Sequence, residues 1–223
     1  MKKERFYVVL KPRSIDTVLC TEFLTHGEPN LAKAPKCPRC GLSYSLMRWL
    51  PPYRAELETW ERGFSDIAFG SGPSLLVSQR FRALFLASKL RGLSGFDPVE
   101  VVKIKRHKKF KGDPPPYFHV QVAYSQARID IKASGMEWGE GLVPCPECHA
   151  TRNVKRWQRL LIEPGTWSGE DVFIARGLNR EMCSPAFKEF CDTNDLIGVV
   201  FLPSEHYAYD HYPYEKEQRK QSP

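Results

Sequence analysis

Apolar and polar positions along the chain alternate in a way that predicts more strand than helix. "FYVVL" near the start, Val99 to Ile104, and Val199 to Leu202 are short runs rich in β-branched residues, the pattern of buried strands. Phe118, Val120 and Val122 alternate with His119 and Gln121. Ile129 and Ile131 alternate with Asp130 and Lys132, so two strands are expected, joined as a hairpin across "YSQA". "RLLIE" at 159–163 reads as another strand. Only two segments carry helical spacing: Phe81, Leu84, Phe85 and Ser88 fall on one face, as do Phe187, Phe190 and Cys191. Ser78 and Ser184 stand where an N-cap hydroxyl would accept from the free amides of the first turn, and Pro185 suits the first helical position. Gly95 and Gly198 are expected to close the helix regions before the next strand. The fold class is α+β with few helices.

The pattern is also written twice. Cys37 and Cys40 in "CPRC" are followed 108 residues later by Cys145 and Cys148 in "CPEC". Trp49 and Trp157 keep step with these pairs, as do Trp60 and Trp167 to within one residue. Downstream, Asp66 matches Asp171, Ser78 matches Ser184, and Phe81 matches Phe187. The expected architecture is two pseudo-symmetric repeats, each a cysteine knuckle, strand, helix and strand, joined by a shared four-cysteine zinc site. The first repeat spans 1–112 and the second 113–215, meeting at the extended triple proline Pro114 to Pro116. Residues 216–223 are expected to form a disordered tail, and the whole to pack as one globule.

Two thiolates are half of a tetrahedral zinc shell, and two CxxC pairs complete it. Cys37, Cys40, Cys145 and Cys148 are therefore the candidate ligands of one structural zinc ion. The long separation is no obstacle, because loop-closure cost rises only logarithmically with length. Gly41 after the first pair suits the positive φ that a knuckle needs, and His149 takes its place after the second. His149 as a replacement ligand is one alternative; two knuckles without metal is another. Thiol redox chemistry is a third, although neither pair lies between an apolar strand and a helix start, as redox CxxC motifs do. Cys20, Cys183 and Cys191 read as small core residues.

The net charge of +7 conceals an asymmetry. Residues 1–112 carry 21 Lys/Arg against 10 Asp/Glu, and the remainder carry 12 against 16. "KIKRHKKFK" concentrates the excess, and Lys103, Lys105, Arg106, Lys108 and Lys109 are candidate contacts for an acidic protein patch or for nucleic acid. In the acidic half, "SEHYAYDHY" offers Glu205, His206, Asp210 and His211, with Glu205 and Asp210 the candidate contacts for a basic partner. No apolar run is long enough for a signal peptide or a membrane span, so a cytoplasmic protein without membrane contact is expected, with its seven cysteines reduced or metal-bound. No HExxH, phosphate loop or nucleophile elbow is present, and no enzyme is expected.

The start "RFYVVLKP", the CPRCG motif, the second CxxC over a hundred residues on, and "WSGEDVFIARG…FKEFC…VVFLP" together resemble the double-CxxCG family, known best from myxobacteria. The likeness spans nearly the whole chain and departs at His149, where the second glycine would stand. Members are regarded as immunity proteins of the Sit, or swarming-inhibition, toxin system. The resemblance implies an inhibitor that binds one cognate toxin domain by occlusion. The toxins of such systems are often nucleases. It also matches Cys37, Cys40, Cys145 and Cys148 to the name-giving cysteines. The alternative from the residues alone is a zinc-ribbon-type nucleic-acid-binding protein that uses the basic run 103–111.

Overall fold

The computed structural model of the chain describes residues 4–12, 19–43, 47–70, 74–139, 144–149, 154–178 and 180–210. These form β1 (Tyr7–Leu10), β2 (Thr21–Thr25), β3 (Arg54–Thr59), β4 (Ile67–Phe69), β5 (Ser74–Ser78), α1 (Gln79–Ala87), β6 (Leu93–Pro98) and β7 (Glu100–Arg106). There follow β8 (Tyr117–Arg128), β9 (Glu137–Trp138), β10 (Val154–Trp157), β11 (Val172–Arg176), β12 (Glu181–Cys183), α2 (Pro185–Thr193), β13 (Val200–Pro203) and β14 (Tyr209–Asp210), with a 3-10 turn at Ser204–His206. Among the described residues the result is mixed α and β, mostly sheet, with two helices. One 11-stranded sheet runs in the order β13-β1-β12-β11-β8-β5-β4-β2-β3-β7, with β6 also on β8. A smaller sheet is ordered β14-β10-β9.

Both helices begin where their caps place them. The Ser78 hydroxyl accepts from the Phe81 amide and the Ser184 hydroxyl from the Phe187 amide, 3.1 and 3.3 Å. Each hydroxyl also donates to a carboxylate at the start of a strand, Ser78 to Asp66 at 2.6 Å and Ser184 to Asp171 at 2.7 Å. The apolar faces of α1 and α2 meet over one face of the large sheet. There Phe81, Phe85, Phe187 and Cys191 pack with Val9, Val77, Val120, Val172 and Ile174. Two further cores hold Trp49, Phe23, Tyr53 and Leu57, and Trp157, Phe6, Ile129 and Leu160. Thus Trp49 and Trp157, each nine residues past a cysteine pair, anchor different cores.

The "YSQA" hairpin is not formed. Residues 117–128 are one strand whose first part pairs with β5 and β6 and whose second part pairs in parallel with β11. The turn-favouring residue of the segment, Ser125, uses its hydroxyl within the strand, where the extra residues are accommodated as an irregularity. The five residues Tyr124–Arg128 oppose the three residues Ile174–Arg176, and the Ser125 hydroxyl accepts from the Ala127 amide at 3.0 Å. Consequently Ile129 pairs not with a hairpin partner but with Ile162, in an isolated bridge that is all that forms of the expected strand 159–163. Gly95 lies inside β6, with φ 93°, rather than at the end of the helix region. That role falls to Gly92, φ 111°. The 216–223 tail and His211 lie outside the described residues.

Long-range pairing joins early and late parts of the chain. β1 is bonded to β12 and β13, while β8 is bonded to β5 and β6. The segments after the two helices dock reciprocally. Asp66 and Ile67 amides donate to the Ile197 carbonyl, and Asp171 and Val172 amides donate to the Arg91 carbonyl. The Ile197 amide in turn donates to Asp66 and the Arg91 amide to Asp171, at 3.2 and 2.9 Å. Glycine follows each docking residue because the approach is close. A Cβ on Gly198 would sit 2.4 Å from the Ile67 carbonyl oxygen, and one on Gly92 would sit 1.9 Å from that of Val172.

Candidate metal centre

The turn holding Cys37 and Cys40 is closed by short backbone bonds: the Cys37 amide donates to the Leu42 carbonyl and the Gly41 amide to the Cys37 carbonyl, 2.8 and 2.9 Å. Gly41 takes φ 71°, so the chain can double back and aim both sulfurs the same way. The Cys145–Cys148 turn repeats this, with the His149 amide on the Cys145 carbonyl at 2.8 Å and His149 at φ 52°. Histidine therefore accepts the left-handed conformation that glycine takes in the first turn. It also does what glycine could not. Its Nδ1 lies 3.1 Å from the Ile129 carbonyl, which makes that nitrogen the donor and ties the turn to the end of β8. Arg176 reaches Glu147 at 3.2 Å, and Gly177 leaves room for the His149 side chain. The first turn is flanked instead by the isolated bridges Lys36–Ser43 and Leu31–Trp49, and the buried Trp49 stacks on Phe23 and meets Tyr53 and His119 edge-on.

The two turns face each other. Cys37 Sγ lies 3.9 Å from Cys145 Sγ, Cys40 Sγ lies 3.7 Å from Cys148 Sγ, and all four sulfurs fall within 4.8 Å of one another. Disulfides would need about 2 Å. Four thiolates around zinc, each at about 2.3 Å, would be separated by roughly 3.8 Å in a tetrahedron. The Cys37–Cys145 and Cys40–Cys148 separations match that value and not a disulfide, and these four residues could hold one metal ion. Cys37 and Cys148 are buried, Cys145 is half-buried, and Cys40 is exposed. Amides of Cys148 and then Glu147 point at the Cys145 sulfur and lower its pKa to about 7, favouring the thiolate that metals require. Burial does the opposite to the remaining thiols, pushing Cys20 up to about 11 and Cys191 to about 12 and raising Cys183 as well. Those three are protonated core residues.

No family model matches this chain, and no curated protein matches it. The site thus rests on its own geometry. Among the described residues neither cysteine turn is followed by a helix before α1 at Gln79 or α2 at Pro185, and no strand-then-helix setting of the redox CxxC kind is seen around either. His149 stands outside the sulfur cluster.

The other candidate residues are scattered. Lys103 and Lys105 project from β7 and pair with Glu56 and Glu58 of the parallel neighbour β3, at 3.2 and 2.7 Å. Lys108 pairs with Glu61 at 2.5 Å. Arg106 lies over the Phe64 and Phe110 rings and donates to the Gly112 carbonyl, and Lys109 is exposed beyond the strand. Much of the basic run is therefore matched by glutamates; the pKa of Glu56 falls because His26 and Lys103 bond to it, and that of Glu58 because Lys105 and His107 do. The alternation of Glu56 and Glu58 in "RAELET" was the available signal for this charge ladder. Glu205 is exposed in the 3-10 turn, and Asp210, in β14, lies 3.8 Å from Arg156. No sequence pattern pointed to Arg176 or Gly177 as supports for the second cysteine turn.

Among the described residues, no helix is long and apolar enough to cross a membrane.

Proposed function

We propose that Cys37, Cys40, Cys145 and Cys148 hold one structural zinc ion, and that the chain is a non-catalytic binding protein that neutralises a cognate toxin domain by covering it. The observation that carries the reading is the meeting of four sulfurs, from turns 108 residues apart, within 4.8 Å of one another. Four protein thiolates fill a zinc shell and leave no position for water or substrate, so the ion fastens the chain instead of doing chemistry. Immunity is suggested by the resemblance to the double-CxxCG proteins, and a cytoplasmic inhibitor without membrane contact is the matching setting.

Two intertwined repeats complete the proposal. Register supports it residue by residue. Tyr7 faces Cys183 and Pro203, while Phe118 faces Val77 and Pro98; Cys183 and Val77 each precede the serine that caps a helix. Val8 and His119 then occupy matching positions. The first repeat has β1 and β2 as separate strands, and the second fuses their counterparts into β8. Zinc would lie between the repeats.

The nucleic-acid alternative relies on a bare basic run, and the pairing of Lys103, Lys105 and Lys108 with glutamates weighs against it. The deciding experiment is co-expression with the toxin candidate encoded beside this chain's gene. A stable one-to-one complex that returns an unmodified, active toxin after dissociation supports occlusion. A covalently altered toxin, or no complex together with salt-sensitive retention on DNA or RNA, would replace it.

A further inference from the structure

The four cysteines differ sharply in exposure. Cys40 is exposed, whereas Cys37 and Cys148 are each 2% exposed. An oxidant arriving from solvent meets Cys40 first, and the sulfur 3.7 Å from it belongs to the opposite turn. We propose that Cys40 is an oxidation site for hydroperoxides, and that its oxidised form is resolved by Cys148 into a disulfide that joins the two cysteine turns covalently. The Cys40 thiol gives up its proton as its sulfur attacks one peroxide oxygen, the O–O bond breaks, and the departing oxygen takes that proton and leaves as water. Cys40 is then a sulfenic acid. The Cys148 thiolate attacks the Cys40 sulfur, the S–O bond breaks, and a second water departs. In sum two thiols and one hydrogen peroxide give one disulfide and two waters. The two sulfurs need to close from 3.7 Å to about 2 Å, a shift that rotation about the cysteine side chains can supply.

The remaining pair, Cys37 and Cys145 at 3.9 Å, is placed to follow by the same route. A metal ion that loses two of its four thiolates is released. Oxidation would thus exchange one fastening between the turns for another, and the fold would survive loss of the ion under oxidising conditions and not under reducing ones. Release of the ion depends on the zinc reading above; the sulfur pairing depends on distance and exposure alone.

The test uses the intact chain, with zinc content measured first. Zinc-loaded and chelator-stripped samples are treated with an equimolar amount of hydrogen peroxide, alkylated, and digested with trypsin and a Glu-specific protease. Arg39 separates Cys37 from Cys40 and Glu147 separates Cys145 from Cys148, so every pairing gives a distinct peptide. The expected result is a Cys40–Cys148 peptide several-fold more abundant than Cys37–Cys40 or Cys145–Cys148, with zinc released in step from the loaded sample. Dominant pairing within either turn, or oxidation that spares Cys40, would overturn the proposal. A chain that contains no zinc at the outset would refute the metal reading, while the mapped pairs would still decide this one.

Discussion

Substitution of Gly198 by alanine tests the reciprocal docking of the two halves of the chain without touching a cysteine. At φ 99° a side chain is strained, and the added Cβ would lie 2.4 Å from both the Ile67 carbonyl oxygen and the Ser65 Cβ. Reaching ordinary contact at 3.4 Å requires a shift of about 1 Å, taken by backbone that receives the Asp66 and Ile67 amides on the Ile197 carbonyl at 2.9 and 3.1 Å. Strain contributes about 1–2 kcal/mol and each weakened bond about 1 kcal/mol, so the expected loss is about 3–4 kcal/mol. Gly27 is the control, since it also has positive φ, 70°, but a Cβ there meets nothing within 4 Å. Only strain applies at Gly27, about 1 kcal/mol. Gly92→Ala, against the Val172 carbonyl, should behave like Gly198→Ala. Urea unfolding followed by tryptophan fluorescence reads all three, compared at constant m-value. If Gly198→Ala and Gly92→Ala cost no more than Gly27→Ala, the close approach of the two segments is not a determinant of the fold.

Removing one sulfur ligand with Cys145→Ser, or stripping metal with a strong chelator, should lower stability by several kcal/mol, whereas Cys191→Ala should cost about 1–2 kcal/mol; equal thermal shifts would rule out a structural ion. Ser78→Ala and Ser184→Ala should each cost about 1–2 kcal/mol, because each serine caps a helix and also pairs a carboxylate, and urea midpoints check this. His119 is fully buried, and desolvation lowers its pKa to about 4, with Asp97 acting more weakly the other way. The folded state holds this ring neutral, so the unfolded chain binds the extra proton between about pH 6.5 and 4; stability is complete above that window and falls by about 3 kcal/mol across it as pH drops. His119→Val should remove that pH dependence from the urea midpoints.

Local chemistry was legible in the sequence where one residue type decides a conformation. Ser78, Ser184 and Pro185 marked both helix starts, and Gly41 and His149 marked the turn after each cysteine pair. Pairing between distant segments was less legible. Nothing in "YSQA" distinguishes a turn from an irregular strand, because the choice depends on β11 lying alongside and on the Ser125 hydroxyl serving the Ala127 amide. Gly95 was expected to do what Gly92 does because it stands before the apolar run 99–104, whereas the chain enters β6 already at Leu93 and it is Gly92 that packs against the Val172 carbonyl. The basic run looked like a binding surface while its partners were unseen; the register of β3 against β7 sets Glu56 and Glu58 beside its lysines. The cysteine cluster was readable because metal chemistry fixes ligand type and number, whereas the supports supplied by Arg176 and Gly177 depend on shape alone.

The most direct test of the shared site is the metal content and ligand shell of the purified chain. Elemental analysis together with zinc-edge X-ray absorption should find one zinc per chain, bound by four sulfurs at about 2.3 Å. The Cys37→Ser, Cys40→Ser double variant should lose it. Two zinc ions per chain, a shell containing nitrogen or oxygen, or zinc that stays bound in the double variant would contradict a single ion held between Cys37, Cys40, Cys145 and Cys148.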